Sequence, residues 1–155
     1  MFQLIAERKG YKISLENQFG KQEIYIGHAR GLLTPAEKLE QGSEFPRSLD
    51  HYKIYMVLNG KTVDKDVKLK DQFGTHKVIV TYPVAFAVPV KREHGGKVFS
   101  VHNEKAHLII YKISPRDITK QLRVRDQFSP RYRSVVILRS FLLAVPSIKV
   151  KWDEV

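Results

Sequence analysis

One short segment occurs three times in this chain, and that recurrence limits the fold more than any local pattern does. Ile13-Ser14-Leu15-Glu16-Asn17-Gln18-Phe19-Gly20 returns as Val67-Lys68-Leu69-Lys70-Asp71-Gln72-Phe73-Gly74 and again as Leu122-Arg123-Val124-Arg125-Asp126-Gln127-Phe128-Ser129. Each copy reads apolar, polar, apolar, polar, Asn or Asp, Gln, Phe, then Gly or Ser. A fixed period of about 54 residues implies three similar units, arranged as one domain or as one compact array. The approximate boundaries are 1–46, 47–100 and 101–155, and the whole chain reads as a single β domain.

The repetition extends past the signature. A second apolar run follows each copy: Ile24-Tyr25-Ile26, Val78-Ile79-Val80 and Val135-Val136-Ile137. A third element ends in proline, at Pro35, Pro89 and Pro146. It stands 18, 18 and 20 residues after the Asx position, and an insertion around Arg131-Tyr132-Arg133 accounts for the extra two. A fourth element occurs clearly twice, as His51-Tyr52-Lys53-Ile54-Tyr55-Met56-Val57 and His107-Leu108-Ile109-Ile110-Tyr111-Lys112-Ile113.

These runs alternate with period two or are rich in Val, Ile, Tyr and Phe, and both patterns favour strands. In the signature strand Val67 and Leu69 share one face, with Lys68 and Lys70 on the other. The Asx-Gln-Phe-Gly ending reads as a turn, since an Asx side chain bonds its own backbone and glycine supplies positive φ. Asn17, Gln18 and Phe19, Asp71, Gln72 and Phe73, and Asp126, Gln127 and Phe128 are therefore the repeat anchors, with each Phe expected to tuck its turn onto the core. The fold class is all-β, either a barrel or trefoil-like closure or a sandwich-like packing. Thr34-Pro35-Ala36-Glu37 has capping-box spacing, so one short helix is expected near 35–40. Ser114-Pro115-Arg116-Asp117 could open a single turn. Residues 42–46 and Glu93-His94-Gly95-Gly96 read as loops.

The segments His-Tyr-Lys-x-Tyr, Asp-Gln-Phe-Gly and Leu-x-x-Pro-x-x-Lys resemble a domain of unknown function found in tandem in secreted or surface proteins of bacteria and archaea. The match spans His51 to Val90 and His107 to Lys149, with a degenerate copy over Tyr11 to Lys38. The resemblance implies cysteines in His-Tyr-Lys-Cys-Tyr and Leu-Cys-x-Pro, where this chain has Ile54 and Ile110, and Ala87 and Ala144. A bridge in each repeat, if the family has one, would contribute about 2–4 kcal/mol. Burying an isoleucine contributes about 1.5–3 kcal/mol, a comparable sum. The resemblance implies an extracellular or surface location. The absence of cysteine and of a signal-peptide layout at the N-terminus is equally compatible with a cytoplasmic one.

Function is less legible than architecture. The six histidines show no ligand spacing, and His51 and His107 occupy equivalent structural positions. No nucleophile elbow or phosphate-cradling glycine loop is present, so no catalytic residue, metal or cofactor is expected. The Asx residues read as turn formers rather than general bases. An enzyme is not expected, and a site acting on an acidic polysaccharide ranks last. With 27 Lys and Arg against 16 Asp and Glu, the formal charge is +11, which favours acidic partners. Lys68, Lys70, Arg123, Arg125, Arg131 and Arg133 are the candidate contacts for nucleic acid or an acidic polysaccharide. The favoured expectation is a homo-oligomer or polymer, such as a surface-layer or filament subunit. Copies would associate through strand edges and through the end segments that carry Phe2, Leu4, Ile148, Val150 and Trp152.

Overall fold

The computed structural model describes residues 10–38, 49–71, 73–126 and 128–154. Ten strands form: β1 (Tyr11–Asn17), β2 (Gly20–Leu33), β3 (Ala36–Lys38), β4 (His51–Gly60), β5 (Lys65–Asp71), β6 (Gly74–Val90), β7 (Arg92–His94), β8 (Lys97–Phe99), β9 (His107–Asp126) and β10 (Ser129–Glu154). The second and third repeated elements merge into the single long strands β2, β6 and β10. Among the described residues no helix is long and apolar enough to cross a membrane.

All strands except the β7–β8 hairpin belong to one antiparallel sheet, in the order β3-β9-β10-β1-β2-β4-β6-β5, with a further ladder between β9 and β6. Ala85, Phe86 and Ala87 of β6 face Ile110, Ile109 and Leu108 of β9 through that ladder. The ladders of β9, β10, β1, β2, β4 and β6 therefore follow one another, and the last returns to β9. The outer strands of the sheet order are β3 and β5. Strands from all three repeats supply the core: Ile13, Leu15, Ile24, Ile26, Val78, Val80, Phe86, Ile109, Tyr111, Ile113 and Val145 are buried together. Alternation explains the set, because each of these side chains sits on the inward face of a strand whose neighbours point outward.

Two expectations from the sequence are corrected. The helix near 35–40 is absent over Ala36–Lys38, which form β3 and pair with Val124, Arg125 and Asp126 of β9; residues 39 and 40 lie outside the described residues. A capping pattern alone stabilises no helix without a face to bury, whereas pairing with β9 satisfies the backbone groups of this segment. Ser114-Pro115-Arg116-Asp117 opens no turn but lies within continuous β9. Repeat two separates the equivalent region into β4 and β5, and repeat three fuses it. The 42–46 loop, Phe2 and Leu4 lie outside the described residues. Gly95 and Gly96 do form a two-residue turn between β7 and β8, with φ of 57° and 76°.

Candidate functional site

The three signature turns share one geometry. Asn17 pairs with Gly20, Asp71 with Gly74 and Asp126 with Ser129, so each turn has a two-residue loop. In each, the Phe N–H donates to the Asx side-chain oxygen, at 2.9 Å for Phe19, 2.8 Å for Phe73 and 2.9 Å for Phe128. Gly20 and Gly74 carry φ of 105° and 119°, a backbone region that side chains disfavour. The phenylalanines diverge. Phe19 packs edge-on against Tyr111 at 5.3 Å, and Phe73 is half-buried. Phe128 is 52% exposed, so it does not tuck its turn onto the core as expected. Its turn ends the long β9–β10 hairpin, whose distal half runs beyond the buried cluster.

Within repeat one the turn is wired to the core. Asn17 Nδ2 donates to the Tyr111 hydroxyl at 2.9 Å and lies 3.2 Å from Ser147 Oγ. Gln22 Nε2 also donates to Tyr111, and Ser147 donates to the Val145 carbonyl at 2.9 Å. Burial raises the Tyr111 pKa, against the opposing pull of its bonds from Asn17 and Gln22. His107 is also buried and stacks on Phe86 at 5.5 Å with nearly parallel rings. Burial lowers its pKa, a contact with the Lys105 carbonyl opposes this, and nearby Lys149 lowers it further. Asp50 is a third buried polar group: its two carboxylate oxygens accept the His102 and Asn103 N–H groups at 2.6 and 3.0 Å, which ties the start of repeat two to the loop that opens repeat three. These groups serve the scaffold. Among the described residues no three His, Asp or Glu side chains are grouped to hold a metal.

The expected cationic residues fall into two places. Arg123, Arg125, Arg131 and Arg133 lie on the β9–β10 hairpin. There Arg133 pairs with Asp126 at 3.3 Å, and the Arg125 guanidinium sits 4.7 Å from the Tyr132 ring centroid. Lys68 and Lys70 lie on β5, facing away from half-buried Val67 and Leu69. The ladder sets Lys68 directly opposite Lys77 of β6, and Lys70 opposite Thr75. Arg116 of β9 reaches the Thr75 carbonyl at 3.4 Å, and the Lys112 ammonium lies 5.7 Å from the exposed Tyr82 ring. Sequence reasoning does not single out Lys77, Lys112, Arg116 or Tyr82 as partners of this group. Lys77 is within its reach, because a two-residue turn after Asp71 fixes the Lys68–Lys77 register. Lys112 and Arg116 depend on the distant β6–β9 ladder, whereas Tyr82 lies on β6 itself.

The expected assembly residues are placed differently from one another. The backbones of Ile148 and Trp152 are committed to β1, opposite Glu16 and Ile13, and Val150 lies in the same strand. Exposed apolar side chains cluster elsewhere in β10: Val136, Leu138, Phe141 and Leu142 are 56, 63, 52 and 46% exposed. A cavity of about 210 Å³ lies between Tyr11, Tyr55, Phe86, Val88 and Lys149, below the usual size of a small-molecule site.

Three equivalent Asx turns and one cross-repeat sheet define an all-β repeat protein. More particularly, the chain belongs to the family described as a repeat of unknown function (DUF7450), whose model matches residues 3–151. No curated protein and no solved structure matches the chain.

Proposed function

We propose that this protein is a non-enzymatic, self-associating β-repeat module, of the kind that builds a surface layer or filament. The exposed apolar run Val136, Leu138, Phe141 and Leu142 on β10 carries this reading. A soluble monomer gains nothing from several large apolar side chains left about half exposed along one strand, whereas a second copy would remove them from water. The β5 edge is a poor route to association, because Lys65, Asp66, Lys68 and Lys70 charge it and oppose the pairing of another strand. Copies therefore meet through the face of β10. Sedimentation velocity over a wide concentration range tests this: the wild type should form dimers or larger species, and Leu138→Lys with Phe141→Ser should remain monomeric. A wild type that stays monomeric at high concentration would remove the proposal.

A second reading, binding of a polyanion, is favoured by the facing Lys68 and Lys77. Like charges set directly opposite in a ladder destabilise it unless an anion neutralises them.

A further inference from the structure

We infer that the outer face of β5, β6 and β9 binds single-stranded nucleic acid, with Lys68, Lys77, Lys70 and Arg116 on the phosphates and Tyr82 as a stacking platform. This deepens the polyanion reading and rests on it.

The face is built by alternation and by two ladders. Val67, Leu69, Val78, Val80 and Ile113 point inward, which turns Lys68, Lys70, Lys77, Ile79 and Lys112 outward. The Ile79 N–H donates to Ser114 Oγ at 2.9 Å, and Thr81 Oγ1 donates to the Lys112 carbonyl at 2.9 Å, so β6 and β9 are fastened side by side where the cations gather. Among the described residues Lys68, Lys70 and Lys77 have no ion-pair partner, unlike Arg133 on the hairpin. Asp66 is the one acidic residue of β5 that shares the outward side, and it stands opposite Ile79.

Cations two residues apart on a strand are about 6.7 Å apart, and neighbouring strands are about 4.8 Å apart. That grid suits successive phosphates of an extended strand. Tyr82 and Ile79 are 43 and 48% exposed on β6, Ile79 two residues from Lys77 and Tyr82 beside Lys112. Aromatic platforms within a basic surface are how single strands are held without sequence preference. A duplex hides its bases from Tyr82, and a sulfated polysaccharide has no base to stack.

The test uses the full chain, a fluorescent thymidine oligonucleotide, the same oligonucleotide as a duplex, and a heparin fragment, each titrated across a salt series. The single strand should bind best, with affinity falling as salt rises. Lys68→Glu with Lys77→Glu should weaken it at least ten-fold, and Tyr82→Ala about five-fold or more on the single strand but not on heparin. Circular dichroism and melting would first show that the variants stay folded. If heparin binds as well as the single strand and Tyr82→Ala changes neither, the stacking inference falls while the polyanion reading stands. If the charge reversal leaves binding intact, the surface is misplaced. If no polyanion binds at low salt, both fall.

Discussion

Asn17 is the one Asx turn residue that is not an aspartate, and its amide nitrogen is the reason. Its Oδ1 makes the same turn bond as Asp71 and Asp126, while its Nδ2 donates to Tyr111, which is fully buried. A carboxylate cannot donate, and it would place a charge against the phenol. Asn17→Asp should therefore cost about 1 kcal/mol in urea denaturation, the net worth of the lost bond, because Tyr111 keeps the bond it accepts from Gln22. Asp71→Asn, at an exposed turn, should change stability by less than about 0.5 kcal/mol. Equal costs for the two would show that Nδ2 is idle. His107 gives a pH dependence. Its folded-state pKa lies below the ordinary 6.5, chiefly through burial, so the unfolded chain binds the proton more readily. Stability should be greatest above about pH 6.5 and fall as the pH drops toward the lowered value. Thermal melts at about pH 5 and pH 8 should differ less in His107→Gln than in wild type; an unchanged difference would mean that other groups set it.

At the scale of elements, the hairpins are legible in the sequence and the mergers are not. Asx-Gln-Phe-Gly specifies its own turn through contacts within four residues, so three two-residue loops follow from the sequence. β3 reads as a helix because Thr34, Pro35 and Glu37 carry a local capping signal, and only the distant edge of β9 reveals the competing partner. The fusion of two elements into β9 likewise hides behind Ser114-Pro115. The positions where family resemblance implies cysteines acquire a geometry in the ladders: Ile54 lies opposite Ala87, and Ile110 opposite Ala144. Ladder partners have Cα separations of about 4.5–5.5 Å, within disulfide range. Ile54→Cys with Ala87→Cys, and Ile110→Cys with Ala144→Cys, should each form a bridge under oxidising conditions. Each should stabilise by about 2–4 kcal/mol relative to its reduced form. Thiol titration and denaturation with and without reductant would measure this, and thiols that stay free would show that the pairs do not meet.

Across the whole molecule, the candidate nucleic-acid face shows why sequence reaches only a portion of the site. Lys68 and Lys70 stand in the repeated signature and are visible there, but Arg116 and Lys112 join them only because β6 and β9 from different repeats pair. The same non-locality governs the meeting of first and last repeats, where β1 lies antiparallel to the end of β10, from Tyr11 beside Glu154 to Glu16 beside Ile148. This arrangement has a mechanical meaning. Tension applied at Tyr11 and Glu154 draws apart two residues that are already neighbours, so the pairs separate in succession, as in a zipper. A subunit tethered by its two ends would yield at low force. A subunit gripped across the face of β10 would spread the same pull over many hydrogen bonds at once, so in a filament the place where copies meet would decide how much strain the fold withstands.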